Sequence, residues 1–225
     1  MQAVWYLRPV EHYQRSYFER TAYKDADHPA ARIFVASRLR WFARRVRLGG
    51  ARVLELGAGP GIFSAPLERE ARQLVAVDAV RFQLAPNPAR QRALADATRL
   101  PFADRAFDLV LVANLLHHVP DPIAVLFEAR RVCREAVLLL EPNGRNPAQV
   151  VFSLLVPEER GGLRFSRAHV RRLAAAAGLE AETIAPFGAL TQNRTPPWLA
   201  RVLAPLDRPL PMGLFLIALL RPAAR

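Results

Sequence analysis

The chain has 225 residues, 52% of them hydrophobic, which is enough to bury the core of one α/β domain and excludes disorder as its overall state. Lysine and arginine together number 32 against 20 acids, a formal net charge of +12, and Lys24 is the only lysine. The single cysteine, Cys133, excludes an intrachain disulfide framework and suits a reducing, cytoplasmic setting.

Residues 1–48 read as a helical extension rich in aromatics, bounded by Gly49-Gly50. Arg8, Glu11 and Arg15 interrupt any apolar stretch there, so no secretory signal is expected. Within it, Arg38-Leu39-Arg40-Trp41-Phe42-Ala43-Arg44-Arg45 reads as the solvated face of an amphipathic helix. The arginines are spread along the chain, so a dedicated polyanion site is the lesser reading of the charge.

From Ala51 onward apolar strands alternate with helical stretches, the pattern of a parallel sheet with helices on both faces. Strands are expected near 52–56, 73–78, 93–96, 107–113 and 135–141. Pro86 and Pro88 cut short the helix after the second strand. A helix is expected near 122–133, with Cys133 a buried thiol inside it. Another opens at a Ser166 N-cap and closes at Gly178. A sixth strand starts near Leu179, and Met212–Leu220, too short to span a bilayer, reads as a seventh. Two proline- and glycine-punctuated segments, about 143–165 and 186–211, interrupt this alternation within the domain of residues 49–225. Both leave the carboxyl edge of the sheet, which suits a substrate-covering role.

Four motifs fall in order. Val53-Leu54-Glu55-Leu56 feeds the turn Gly57-Ala58-Gly59-Pro60-Gly61, where small residues let the backbone approach a ligand. A dinucleotide fold would place its last glycine at Ile62. Leu74-Val75-Ala76-Val77-Asp78 and Leu94-Ala95-Asp96-Ala97 are further apolar runs reaching an acid. Phe107-Asp108-Leu109-Val110-Leu111-Val112-Ala113-Asn114 is followed by Leu115-Leu116-His117-His118-Val119-Pro120. In order and spacing these resemble class I S-adenosylmethionine-dependent methyltransferases, in the branch called methyltransferase domain type 11. The likeness is good from Val53 to about Pro142, moderate in the last third and poor over the first fifty residues.

The resemblance implies a Rossmann-like, doubly wound α/β fold with seven strands, six parallel and an antiparallel seventh. It implies S-adenosylmethionine as cofactor, with Glu55 near the methionine end over the turn Gly57, Ala58, Gly59 and Gly61. Asp78 with Ala79 would take the ribose, Asp96 with Ala97 the adenine, and Asn114 would stand beside the reacting centre. His117 and His118 are the candidates for acid–base work. In an extended stretch they would point opposite ways, leaving one facing the substrate. The N-terminal extension would act as a lid, with Tyr13, Tyr17 and Trp198 closing over an apolar acceptor. No His, Cys or Asp spacing suggests a metal. Asn114 is not followed by the Pro-Pro-Tyr of nucleic-acid amino methyltransferases, and Cys133 follows Val132, unlike the nucleophile of cytosine-C5 enzymes. The expected reaction is therefore methyl transfer to a small, hydrophobic or lipid-like acceptor. The alternatives are action on RNA or another polyanion, a non-catalytic cofactor-binding module, and, third, a dehydrogenase.

Overall fold

The computed structural model describes residues 26–223. Parallel strands buried on both faces need near-continuous apolar runs, and three such runs form strands over the expected residues: β1 (Arg52–Leu56), β2 (Gln73–Asp78) and β4 (Phe107–Ala113). With β3 (Gln91–Leu94), β5 (Cys133–Pro142), β6 (Leu179–Phe187) and β7 (Phe215–Pro222) they build one sheet in the order β3-β2-β1-β4-β5-β7-β6. β7 runs antiparallel to both of its neighbours, and the strands from β3 through β5 pair in parallel.

Helices cover both faces. Phe34 and Phe42 of α1 (Pro29–Ala43), with Phe63 and Leu67, pack over Val53, Ala76, Leu109 and Leu138. On the other face, α4 (Pro122–Val132) and α6 (Arg167–Ala176) set Val125, Leu126, Val170 and Leu173 over Leu54, Val77, Val110 and Val137. The remaining helices are α2 (Ser64–Glu70), α3 (Arg81–Leu84), α5 (Pro147–Leu155) and α7 (Pro197–Leu203). Four helix starts carry a side-chain cap. Asp121, Asn146 and His28 each precede a proline at the first helical position, and Ser166 accepts from the His169 amide at 3.2 Å. The four-residue α3 ends before Pro86, as expected.

Four expectations need correction. Cys133 opens β5 rather than closing a helix; it is buried, and burial pushes its thiol up to about 12. β3 lies two residues earlier than expected, since Asp96 already turns the chain by accepting from Thr98 N and Oγ1, both at 2.8 Å. β7 begins at Phe215, where pairing with Pro142 and Phe187 starts, so Met212 lies outside it. Arg38 is not solvated: it is 0% exposed and ion-paired with Asp207, which also accepts from Ser37 Oγ. Its guanidinium stacks 3.5 Å from the Phe34 ring centroid, and burial lowers its pKa to about 10 against the pull of Asp207. This pair ties α1 to the 186–211 segment, whose helix α7 packs on α1. Among the described residues no helix is long and apolar enough to cross a membrane.

Candidate active site

The carboxyl ends of β1, β2, β4 and β5 open into a cavity of about 630 Å³. Its first half is the glycine turn. Gly57, Gly59 and Gly61 all have positive φ, the left-handed backbone that favours glycine. A Cβ on Gly59 would project into open space, its nearest neighbour being Gln83 Oε1 at 3.9 Å. Glycine there leaves room for a ligand against the backbone. Gly61 plays another part: it stands off the cavity wall, and a Cβ there would meet Pro88 Cδ and Asn87 Cγ. Asn87 braces the turn by donating to Gly59 O and Ser64 Oγ, both at 2.9 Å.

Three carboxylates face this half. Ser64 Oγ donates to Glu55 Oε2 at 2.6 Å, yet burial pushes the Glu55 carboxyl up to about 8, with the charge of Asp78 adding to the rise. Asp78 accepts from the Gly59 amide at 2.9 Å and the Val80 amide at 2.8 Å; burial raises its pKa, and these amides oppose the rise. A carboxylate has about four lone-pair sites, so Asp78 retains capacity for ribose hydroxyls. Asp96 lies further along the wall with Ala79 and Ala97. Among the described residues the wall's one arginine is Arg194, and it has no lysine. A pocket lined by Glu55, Asp78, Asp96, Asp121 and Glu159 with that single arginine suits a cationic sulfonium ligand.

The second half is built where β4 ends. Asn114 takes φ +53°, breaking the strand, and the chain enters a turn. Buried Glu141, at the end of β5, fixes that turn: its Oε1 accepts from Leu115 N at 3.0 Å and Leu116 N at 2.7 Å. Its Oε2 lies 2.6 Å from His117 Nδ1, and Glu159 Oε2 lies 3.4 Å from His117 Nε2. His117 and His118 do not point opposite ways, because the stretch is a turn and not extended. Their ring centroids are 3.8 Å apart and both rings line the cavity. Burial alone would lower the His117 pKa, but Glu141 and Glu159 outweigh it and push it to about 9. Burial, then the charge of His117, lowers His118 to about 3.

Both insertions reach this wall, the first through Ala148, Gln149, Phe152 and Glu159 and the second through Thr191–Arg194. Arg194 stacks on Phe152 at 4.4 Å, joining the two segments at the cavity. Trp198 is not part of the wall; it lies 66% exposed on α7. Tyr13 and Tyr17 lie outside the described residues. Sequence reasoning missed Glu141 and Glu159. Glu141 ends the apolar run Val137–Leu140, the same signal that marked Glu55 and Asp78. Glu159 has no local signal, since a 3-10 segment, Pro157–Arg164, brings it in.

This sheet order, with a glycine turn and acids at the ends of β1 and β2, defines the class I methyltransferase fold. Residues 54–140, less than half of the chain, match the family described as "Methyltransferase domain". It is similar to a demethylmenaquinone methyltransferase of Mycolicibacterium paratuberculosis, 36% identical over 121 residues, 52% of this chain and 53% of that one. It is also 33% identical over 136 residues to a ubiquinone biosynthesis O-methyltransferase of Xanthomonas campestris pv. campestris, covering 53% of this chain and 52% of the relative. The chain spans about a third to three-fifths of the length of the curated relatives it matches. A Thermotoga maritima structure, described as a possible histamine N-methyltransferase, superposes with a TM-score of 0.69 at 17% identity, over 96% of this chain and 98% of its own. At that identity the likeness shows the fold.

Proposed function

We propose that this chain transfers the methyl group of S-adenosylmethionine to a small acceptor with an apolar body. The observation that carries the reading is the single cavity running from Glu55, Asp78 and Asp96 to His118, Pro142, Phe152 and Phe215. When bound, the cofactor supplies an already activated methyl group. The residues then mainly position the acceptor and exclude water. Glu55, Gly57, Ala58, Gly59, Asp78, Ala79, Asp96, Ala97 and Asn114 are the proposed cofactor contacts. His117, held as a cation between two carboxylates, is a donor. Neutral His118 is the ring that can accept a hydrogen bond from an acceptor hydroxyl.

The relatives named for menaquinone and ubiquinone pathways support a lipid-like acceptor, as do Phe152, Leu214 and Phe215 on the wall. Segments 143–165 and 186–211 are assigned to covering it, together with Tyr13 and Tyr17 of the extension, whose helix α1 itself packs in the core and lines none of the cavity. The charge of +12 is what favours a polyanion acceptor; against it stands a cavity wall with one arginine. The test measures S-adenosylhomocysteine release with prenylated phenols and with short RNAs, across a salt series. Salt-insensitive turnover of the phenols is expected. Turnover of RNA alone, falling steeply with salt, refutes the small-acceptor reading. Binding of NAD without binding of S-adenosylhomocysteine refutes the methyltransferase reading.

A further inference from the structure

We propose that His117, His118 and Glu159 form a binding site for a divalent transition-metal ion, with zinc the best match to its donors. One ligand atom from each of these residues can be chosen so that all lie within 4.8 Å of one another. The His117 Nε2 to Glu159 Oε2 distance of 3.4 Å is already that of two ligands about 2.1 Å from a shared tetrahedral ion. A pair at the outer limit of 4.8 Å would have to close by about 1.4 Å. Two imidazoles and a carboxylate suit a borderline cation, which on binding would displace the His117 proton and take the place of the acid–base roles given to the two rings above; three protein ligands leave a position open.

Two features beyond the cluster point the same way. First, Glu141 stands behind His117 at 2.6 Å from Nδ1. A carboxylate on one ring nitrogen fixes the tautomer and aims the other, Nε2, at the cluster, as the outer partners of metal-bound histidines do. Glu141 is itself held by the Leu115 and Leu116 amides, so the ring has little freedom. Second, the segment that brings Glu159 is seated on the site by glycines. A Cβ on Gly161 would collide with the His117 carbonyl oxygen, and one on Gly162 would press on Pro142 at 3.2 Å. Glu159 therefore reaches the histidines on a backbone docked against them.

His117, His118 and Glu159 all line the cavity, so an open position on the ion would be reached from it. It would hold the oxygen of an acceptor carrying a hydroxyl, or two adjacent ones, and lower its pKa so that the proton is lost to solvent water and the oxygen can take the methyl group. That role rests on the proposed methyl transfer; the site itself does not.

The experiment titrates the metal-stripped full-length protein with Co²⁺, followed by visible absorption, and then competes with Zn²⁺. One equivalent should bind and be displaced by Zn²⁺. His118→Ala and Glu159→Gln should each weaken binding at least about tenfold, with thermal unfolding used to check that both fold. His28→Ala, at the N-cap of α1 and off the cavity wall, should bind like the parent. Absence of stoichiometric binding, or binding unchanged in both variants, overturns the site. All of this is read without cofactor. A protein that binds Co²⁺ as stated but not S-adenosylhomocysteine would cost the methyltransferase reading and leave the metal site standing.

Discussion

Raising the pH from 7 to 9 should tighten cofactor binding through Glu55. The carboxyl is 2% exposed and its pKa stands at about 8, so at pH 7 about a tenth of the molecules have it ionised and at pH 9 about nine-tenths. A sulfonium and an ammonium placed nearby favour the ionised form. If the complex requires it, affinity scales with that fraction, a gain of about ninefold, or about 1.3 kcal/mol. The ligand's own amino group titrates in the same range, so the quantity to compare is wild type against Glu55→Gln. Calorimetry with S-adenosylmethionine, in buffers of different ionisation enthalpy, should show wild type releasing close to one proton more than the variant at pH 7. Stability carries the same titration with a definite sign. The folded pKa lies above the ordinary 4.5, so the native chain holds a proton that the unfolded chain has lost. The Glu55 contribution is therefore complete below about 4.5 and is lost as pH rises through about 8. Equal pH slopes and equal proton release in the two proteins would refute the argument.

Asp78→Ala removes a charged acceptor and two amide contacts, so S-adenosylhomocysteine affinity should fall about tenfold or more, read by the same calorimetry. Gly59→Val, at φ +49° and facing the open cavity, should do worse, and binding like wild type in both would undo the cofactor assignment. Arg38→Met leaves Asp207 buried without its partner, a loss of about 3–5 kcal/mol. A melting temperature lower by about 6–20 °C should follow, partly recovered when Asp207→Asn is added; an unchanged melt would show the pair to be idle. Gly161→Ala must push the 3-10 segment off the His117 carbonyl, so turnover should drop while cofactor affinity holds. Undiminished turnover would remove that segment from the site.

The sheet was legible in the sequence wherever burial on both faces forced a continuous apolar run. β1, β2 and β4 lie on the expected residues for that reason. β3, at the sheet's edge, carries exposed Gln91 and Arg92, so its apolar signal faded and the expected strand slid toward Asp96. The acid at the end of a buried run marked Glu55 and Asp78, and the same rule applied to Leu138-Leu139-Leu140-Glu141 would have reached Glu141. The histidines were found by residue type, but their orientation was not. Asn114 at positive φ and the two amides given to Glu141 make a turn that alternation cannot foresee.

What stayed hidden depends on contacts between distant parts of the chain. Arg38 follows the pattern of a solvated helix face, and only Asp207, 169 residues away, makes it a buried cation. Nothing near Glu159 distinguishes it from Glu158; the difference is that Gly161 lets one backbone rest on another. The cofactor half comes from short strand-to-turn units, each complete within about ten residues, so spacing alone exposes it. The acceptor half comes from two insertions whose side chains meet only after the sheet has assembled, as Arg194 over Phe152 does. That division separates the shared chemistry from the choice of substrate. The motif can remain fixed while the insertions change what is methylated, so variants of Phe152, Glu159 and Arg194 should alter acceptor preference before they alter cofactor affinity.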